Sequence, residues 1–325
     1  MRVVFLAYPK CSLWSLIGSY EMLQKTNRIA QIYSDKFNVK EPICPITASG
    51  TRETRIEGSY GNFMEVDTSI FDIDAPDLLV IPGFDRDIPS VLSNTAMIEK
   101  VREFYEAGSA IASFCTGSFI LAATGLLDGK MATTHWVYSR EFERMFPKTK
   151  LLADRMLIDN DRLYMSGGAS SFQNLMIYLI EKYIDKALGV FMSKILLIDT
   201  DRYLQSPYTI FYGQKTHGDS SVLLAQEFIE SHVADFISID ELACIVNMSK
   251  RNFLRRFKQA TGDTPFVYMQ RAKVEAAKSM MEDSSALLTE IAEKIGYDDF
   301  SSFRKAFKKH TGLSPLFYRK KYVFR

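Results

Sequence analysis

The sequence predicts two domains of different class. Residues 1–200 read as an α/β doubly wound parallel sheet, residues 201–220 as a linker, and residues 221–325 as an all-α domain built from two repeated helical units. Three observations predict this. Short β-rich apolar runs alternate with amphipathic helical patterns as far as residue 200. Strand signals then stop. Beyond that point one pattern occurs twice, 50 residues apart.

Strands are expected at 3–8, 78–81, 110–115, 132–135 and 162–165, with amphipathic helices between them at 13–24, 96–107 and 172–183. Gly108 follows the second of these helices as a C-terminal stop. Such alternation argues for a parallel sheet covered by helices on both faces. The 3–8 run is cut short by Pro9 and Lys10, which suits a first buried strand better than a signal-peptide core. No run approaches the ~18 apolar residues of a membrane span, so a cytoplasmic location (or a nuclear one) is expected, with no membrane partner.

With 325 residues, 47% of them apolar, the chain is long enough for two separate cores. A net charge of +1 conceals an asymmetry. From Lys250 onward there are 17 Lys and Arg against 8 Asp and Glu, whereas the preceding residues hold 23 against 31. A basic end on an acidic body points to a polyanion-binding module. Cys11, Cys44, Cys115 and Cys244 show no CxxC or His-pair spacing, so free thiols are expected, with no metal site and no cofactor.

The repeat is FLRRFKQATGDTPFVY at 253–268 and FRKAFKKHTGLSPLFY at 303–318, matching at Phe, Phe, Lys, Thr, Gly, Pro and Tyr. In each copy a basic helix ends at a glycine, Gly262 or Gly312, suited to a left-handed C-terminal position. Thr264-Pro265 and Ser314-Pro315 then supply an N-cap and a proline at the first helical position. A short helix precedes each copy, around 241–243 and 290–292, and Ser238-Ile-Asp-Glu241 forms a capping box for the first. Short helix, turn and basic helix make the helix-turn-helix plan, here occurring twice. Residues 265–281 read as the helix joining the two units.

This C-terminal pattern resembles the AraC/XylS family of transcriptional regulators over about residues 221–322. Phe253 and Phe257 should anchor the first basic helix, leaving Lys250, Arg251, Leu254 and Arg255 outside, with Lys258 a turn further on. Phe303 and Phe307 should anchor the second, leaving Ser301, Ser302, Arg304 and Lys305 outside. The resemblance implies double-stranded DNA as partner, with arginines reading bases in the major groove and other basic side chains on phosphates. Phe300 faces either DNA or core, and Asp298 and Asp299 favour the positive end of the second basic helix.

The N-terminal region resembles the ThiJ/PfpI branch of the class I glutamine amidotransferase-like domains, which implies a flavodoxin-like sheet. The match rests on DLLVIPG at 77–83, ASFCTGS at 112–118 and ATTHW at 132–136. Cys115 would sit on a strand-to-helix turn that lowers its thiol toward thiolate. His135 would orient it or shuttle its proton. Backbone N–H groups near Gly83 and Thr116 would cradle an oxyanion or carboxylate. Ser15 stands where the family usually has an acidic residue, and Gly83-Phe84 replaces the usual glycine pair. Both departures weaken a catalytic reading. Cys115 is otherwise a small buried residue, and Trp136 is either core or pocket wall. SGGASS at 166–171 lacks the lysine of a phosphate loop and resembles the strand-to-helix crossing that closes this domain's pocket.

Joined, the two resemblances imply a sequence-specific regulator whose N-terminal pocket, with Ser15, Gly83, Cys115, Thr116, His135 and Trp136, binds a small effector. The resemblance implies an amino-acid-like or quaternary-amine effector and leaves a homodimer open. Two alternatives remain: a cysteine-dependent hydrolase or amidase with an appended DNA-binding domain, and a thiol redox sensor.

Overall fold

In the computed structural model, which describes residues 1–39 and 41–323, the N-terminal apolar run becomes strand β1 (Arg2–Ala7). Helix α1 (Leu13–Ile32) follows, capped by Ser12, whose Oγ accepts from the Ser15 amide. Then come β2 (Cys44–Ser49), the hairpin β3 (Arg55–Glu57) and β4 (Phe63–Glu65), the short β5 (Thr68–Ser69), and β6 (Leu78–Ile81). Helices α2 (Ile88–Leu92) and α3 (Thr95–Glu106) lead to β7 (Ala110–Phe114) and α4 (Ser118–Ala123). After β8 (Met131–Ala132), α5 (Ser139–Met145) and β9 (Lys150–Leu151), the hairpin β10 (Leu157–Asn160) and β11 (Leu163–Ser166) completes the strands. Helices α6 (Phe172–Tyr183) and α7 (Lys186–Ile195) close this part of the chain.

The main sheet has seven strands in the order β10-β11-β7-β6-β1-β2-β5, parallel except for the β10–β11 hairpin. Every residue of β6, β7 and β11 is buried. Successive strand residues point to opposite faces, so both faces of the central sheet are covered, the mark of a doubly wound fold. Helices α1, α6 and α7 pack against one another, and α2 and α3 each pack against α4, giving the two outer layers.

Two expected strands differ. Cys115 is not in β7, because its φ of 55° turns the chain out of the extended region. Of 132–135 only Ala132 is in a strand, and it pairs with Leu151 outside the main sheet. The ladder stops there because its partner β9 ends at Leu151, and the Thr133 hydroxyl donates to the Arg155 carbonyl at 2.7 Å.

The chain divides into two units, Met1–Gln205 and Ser206–Arg325. The stretch 201–220 splits between them. Leu204 bridges to Arg155 in the first unit, while Phe211 stacks on Tyr268 at 4.9 Å in the second. Among the described residues the second unit has helices only: α8 (Ser220–Ser231), α9 (Ile239–Ile245), α10 (Lys250–Thr261), α11 (Pro265–Asp283), α12 (Leu288–Lys294), α13 (Phe300–Thr311) and α14 (Pro315–Tyr322). The last two residues expected in this domain, 324 and 325, lie outside the described ones.

Each half of the repeat builds its own core. Phe253, Phe257 and Tyr268 belong to one, and Phe303, Phe307 and Tyr318 to the other. Helix α11 serves both, giving Tyr268 and Ala272 to the first and Val274, Ala277 and Met281 to the second. The repeated glycines end their helices at φ 76° and 73°, and the repeated Thr264 and Ser314 cap the helices that follow.

Candidate functional site

The elbow is built by close backbone passage. β7 delivers Cys115 to a one-turn 3-10 segment that runs directly into α4. A positive φ at a non-glycine residue is a strained arrangement that projects a side chain from the sheet's end. Gly117 makes the turn possible: a Cβ there would lie 2.5 Å from the Pro82 carbonyl oxygen. Thr116 pins the loop after β6 to the elbow, its Oγ1 accepting from the Phe84 amide at 2.7 Å and donating to the Phe84 carbonyl at 2.6 Å.

A cavity of about 490 Å³ opens above this turn. Ser15, Gly83, Cys115 and His135 line it. Thr116 and Trp136 do not. Thr116 is buried beneath the wall, and the Trp136 ring lies beside His135, centroids 5.6 Å apart. Sequence reasoning missed most of the rim. Trp14, Tyr60, Phe84 and Tyr138 add aromatic surface, and the consecutive Asp85 and Arg86 add charge. The Tyr138 hydroxyl donates to Asp85 Oδ1 at 3.3 Å.

The electrostatics reverse the expectation for the thiol. Burial pushes Cys115 up to about 11, overcoming the Thr116 backbone and hydroxyl hydrogen bonds that favour thiolate, and Asp85 raises it further. The end of a strand-to-helix turn supplies donors, but desolvation wins. His135 is lowered by burial, against the opposing pull of Asp85. Its Nδ1 accepts from the Val137 amide at 3.2 Å, capping the following turn, and among the described residues no hydrogen bond joins it to Cys115. Ser15 is bound to its own helix, its Oγ donating to the Ser12 carbonyl at 3.1 Å. No group of three or more His, Cys, Asp or Glu side chains with metal-holding geometry occurs among the described residues.

In the second unit, Phe253 and Phe257, and likewise Phe303 and Phe307, are fully buried. Their spacing fixes which faces of α10 and α13 look out. Lys250, Arg251, Arg255 and Lys258 are exposed and Leu254 is half-buried; Ser301, Ser302, Arg304 and Lys305 are exposed. Lys250 pairs with Asp240 of α9 at 2.9 Å, and Arg255 is held by Asn252 at 3.0 Å. Asp299 caps α13 by accepting from the Ser301 and Ser302 amides, and these hydrogen bonds, the Ser302 side chain first, hold its carboxyl low. Phe300 is 36% exposed. Arg256 breaks the pattern: it turns inward, donating to both carboxylate oxygens of Asp219 at 2.7 and 2.9 Å.

Comparison with known proteins agrees with both halves. The model of the DJ-1/PfpI family matches residues 1–182, and that of a helix-turn-helix domain matches residues 242–321. The HTH-type transcriptional regulator CdhR of Pseudomonas aeruginosa is 25% identical over 315 residues, 96% of this chain and 89% of that protein. The HTH-type transcriptional regulator GbdR of the same species is 26% identical over 211 residues, 64% of this chain but only 57% of its own length. Drosophila melanogaster DJ-1beta shares the fold of the first unit, with a TM-score of 0.51 at 17% identity, covering 61% of this chain and 98% of that one. No helix among the described residues is long and apolar enough to cross a membrane. The chain therefore belongs to the DJ-1/PfpI family and joins that domain to an AraC-type helix-turn-helix domain, the make-up of a DNA-binding transcriptional regulator.

Proposed function

We propose that this regulator reads duplex DNA with the outward faces of α10 and α13, under the control of a small effector held in the elbow cavity. The observation that carries the reading is the duplication itself. Two basic helices, each fixed to its own core by a buried Phe pair, hang on one shared helix. Arg251, Arg255 and Arg304 offer the forked donors that match guanine, and Lys258 and Lys305 are placed for phosphates. DNA affinity of the full chain should fall steeply with salt, each neutralised phosphate adding about −0.9 to the log–log slope. A salt-independent or absent affinity would overturn this reading.

The cavity suits binding better than turnover. A thiol raised to about 11 and a histidine whose Nδ1 is already engaged make a poor nucleophile and base. Its aromatic rim with Asp85 favours a ligand carrying a positively charged nitrogen, because ring faces and a carboxylate attract the same charge. The adjacent Arg86 complements a carboxylate on the same ligand. An amino-acid-like or quaternary-amine effector meets both demands. A thermal-shift screen of amino acids and trimethylated amines tests this, with Asp85→Asn expected to abolish the response.

A further inference from the structure

Gln205 is the last residue of the first unit and is only 2% exposed. Its side chain is the most heavily engaged amide in that unit. Oε1 accepts from the Trp136 amide at 3.3 Å. Nε2 lies within 3.2 Å of four acceptors: Thr133 Oγ1, the Thr134 carbonyl, and the carbonyls of Ala153 and Arg155. Gly167, in the SGGASS crossing, leaves the slot for it. A Cβ there would lie 2.0 Å from Nε2.

These partners fall into two sets. Thr133, Thr134 and Trp136 belong to the loop that carries His135 into the elbow cavity. Ala153 and Arg155 belong to the segment onto which the chain leaving the unit is zipped, with Gln205 N donating to the Asp154 carbonyl at 2.7 Å and Met156 N to the Tyr203 carbonyl at 3.0 Å. An amide nitrogen has two hydrogens and cannot serve four acceptors with straight bonds. The side chain must therefore divide its donors between the cavity loop and the exit segment.

Beyond Gln205 the chain is anchored at once in the second unit. The Pro207 carbonyl accepts from the Tyr322 hydroxyl at 3.0 Å, and the Thr209 carbonyl accepts from Lys278 Nζ at 2.7 Å. The Phe211 amide donates to Glu275 at 3.1 Å. Only Ser206 separates the two sets of anchors.

We propose that Gln205 is the positioning residue through which occupancy of the elbow cavity is passed to the DNA-reading unit; this rests on the reading that the cavity takes an effector. An occupant that displaces His135 moves the backbone of 134–136. The Gln205 amide then shifts its donors from the loop carbonyl to those of Ala153 and Arg155. The displacement reaches the 206–211 segment, and through it α11, along the covalent chain. Two alternative pairings of one amide make the two-state element that coupling of this kind requires.

The test uses the full chain, with iodoacetamide as the probe. In a Cys44→Ser/Cys244→Ser background, which removes the exposed thiols and serves as the wild type here, carboxamidomethylation of Cys115 at alkaline pH places a covalent occupant in the cavity, and mass spectrometry confirms the site. Hydrogen exchange is then followed at Trp136 and at 208–211. In the wild type, labelling should speed exchange at Trp136 by about tenfold and change protection across 208–211. In Gln205→Ala, Trp136 should exchange fast before labelling, and labelling should leave 208–211 unchanged. Thr133→Val removes one loop partner and should reduce the response, which keeps the test open if Gln205→Ala folds poorly. A fully labelled wild type with no change at 208–211 overturns the proposal, as does a Gln205→Ala response equal to that of the wild type. Failure of the effector reading shows separately, as an absent thermal shift with every amine, because the covalent occupant needs no effector.

Discussion

Replacing Asp219 should loosen the first DNA-reading unit and leave the N-terminal unit untouched. Asp219 does two jobs with one carboxylate. Its Oδ1 caps α8 by accepting from the Val222 amide at 3.2 Å, and both oxygens take the fork of Arg256 from α10. Loss of an N-cap costs about 1 kcal/mol. A bidentate charged pair is worth about 1.5–3 kcal/mol when buried, but the Arg256 side chain is 35% exposed, so screening reduces this to about 1 kcal/mol. Asp219→Ala should therefore cost about 2 kcal/mol, and Arg256→Ala or Asp219→Asn, which keep a cap, about 1 kcal/mol each. The pH dependence has a definite sign. Arg256 holds the Asp219 carboxyl below its usual value, so its contribution is present above the unfolded carboxylate range near ~3.9 and is lost as pH falls through the lowered folded value. Urea unfolding separates the units optically. The chain has two tryptophans, Trp14 and Trp136, both in the first unit, so indole fluorescence reports that unit alone. Far-UV circular dichroism follows the helices of both. The helical transition should move by about 1 M urea in Asp219→Ala while the fluorescence transition stays in place. A shift below about 0.5 kcal/mol in the helical phase, or an equal shift in fluorescence, would refute this account of the pair.

Two other predictions address the thiol and the unit boundary. Alkylation of Cys115 titrated against pH should rise towards a midpoint near 11, and Cys115→Ser should retain DNA binding; a midpoint below neutrality would restore the redox and hydrolase readings. A fragment starting at Ser206 should be more stable than one starting at Ser221. The longer one keeps the Asp219 cap and its Arg256 pair as well as the Phe211–Tyr268 stack and the Lys278–Thr209 hydrogen bond, together worth about 4 kcal/mol, and equal midpoints would contradict these roles.

Signals carried by short-range spacing are legible in the amino-acid order alone. The repeated Phe pair, the glycine stop and the Thr-Pro or Ser-Pro restart mark both helix-turn-helix units to within a residue or two. The Cys115 elbow and its approach to Gly83 and His135 come from three short motifs. The features that escape such reading depend on partners distant in sequence. Arg255 and Arg256 are neighbours in one basic helix, yet one faces out and the other is held by a carboxylate 37 residues upstream. Asp85 closes the cavity from the turn after β6 with no spacing to announce it. Strand β2 carries Pro45, which argues against an interior strand, but it lies next to the short β5 near the sheet edge, where a missing N–H is tolerated. The motif at Cys115 shows the hydrogen-bond donors around the thiol and not the burial that outweighs them. Gln205 sits in a polar stretch that looks like a tether, since the carbonyls that surround it come from two separate loops, around Thr134 and around Ala153–Arg155.

The most direct test of the account is a footprint of the full chain on an operator selected from random duplex DNA. Two protected segments should appear on one face of the helix, about one turn or ~34 Å apart. Arg251→Ala and Arg255→Ala should each cost roughly 1–3 kcal/mol at bases in one segment only, and Arg304→Ala should act in the other. Lys258→Ala should weaken every sequence alike and flatten the salt slope by about one unit. A single protected segment, or losses that ignore which helix is changed, would contradict reading by two units.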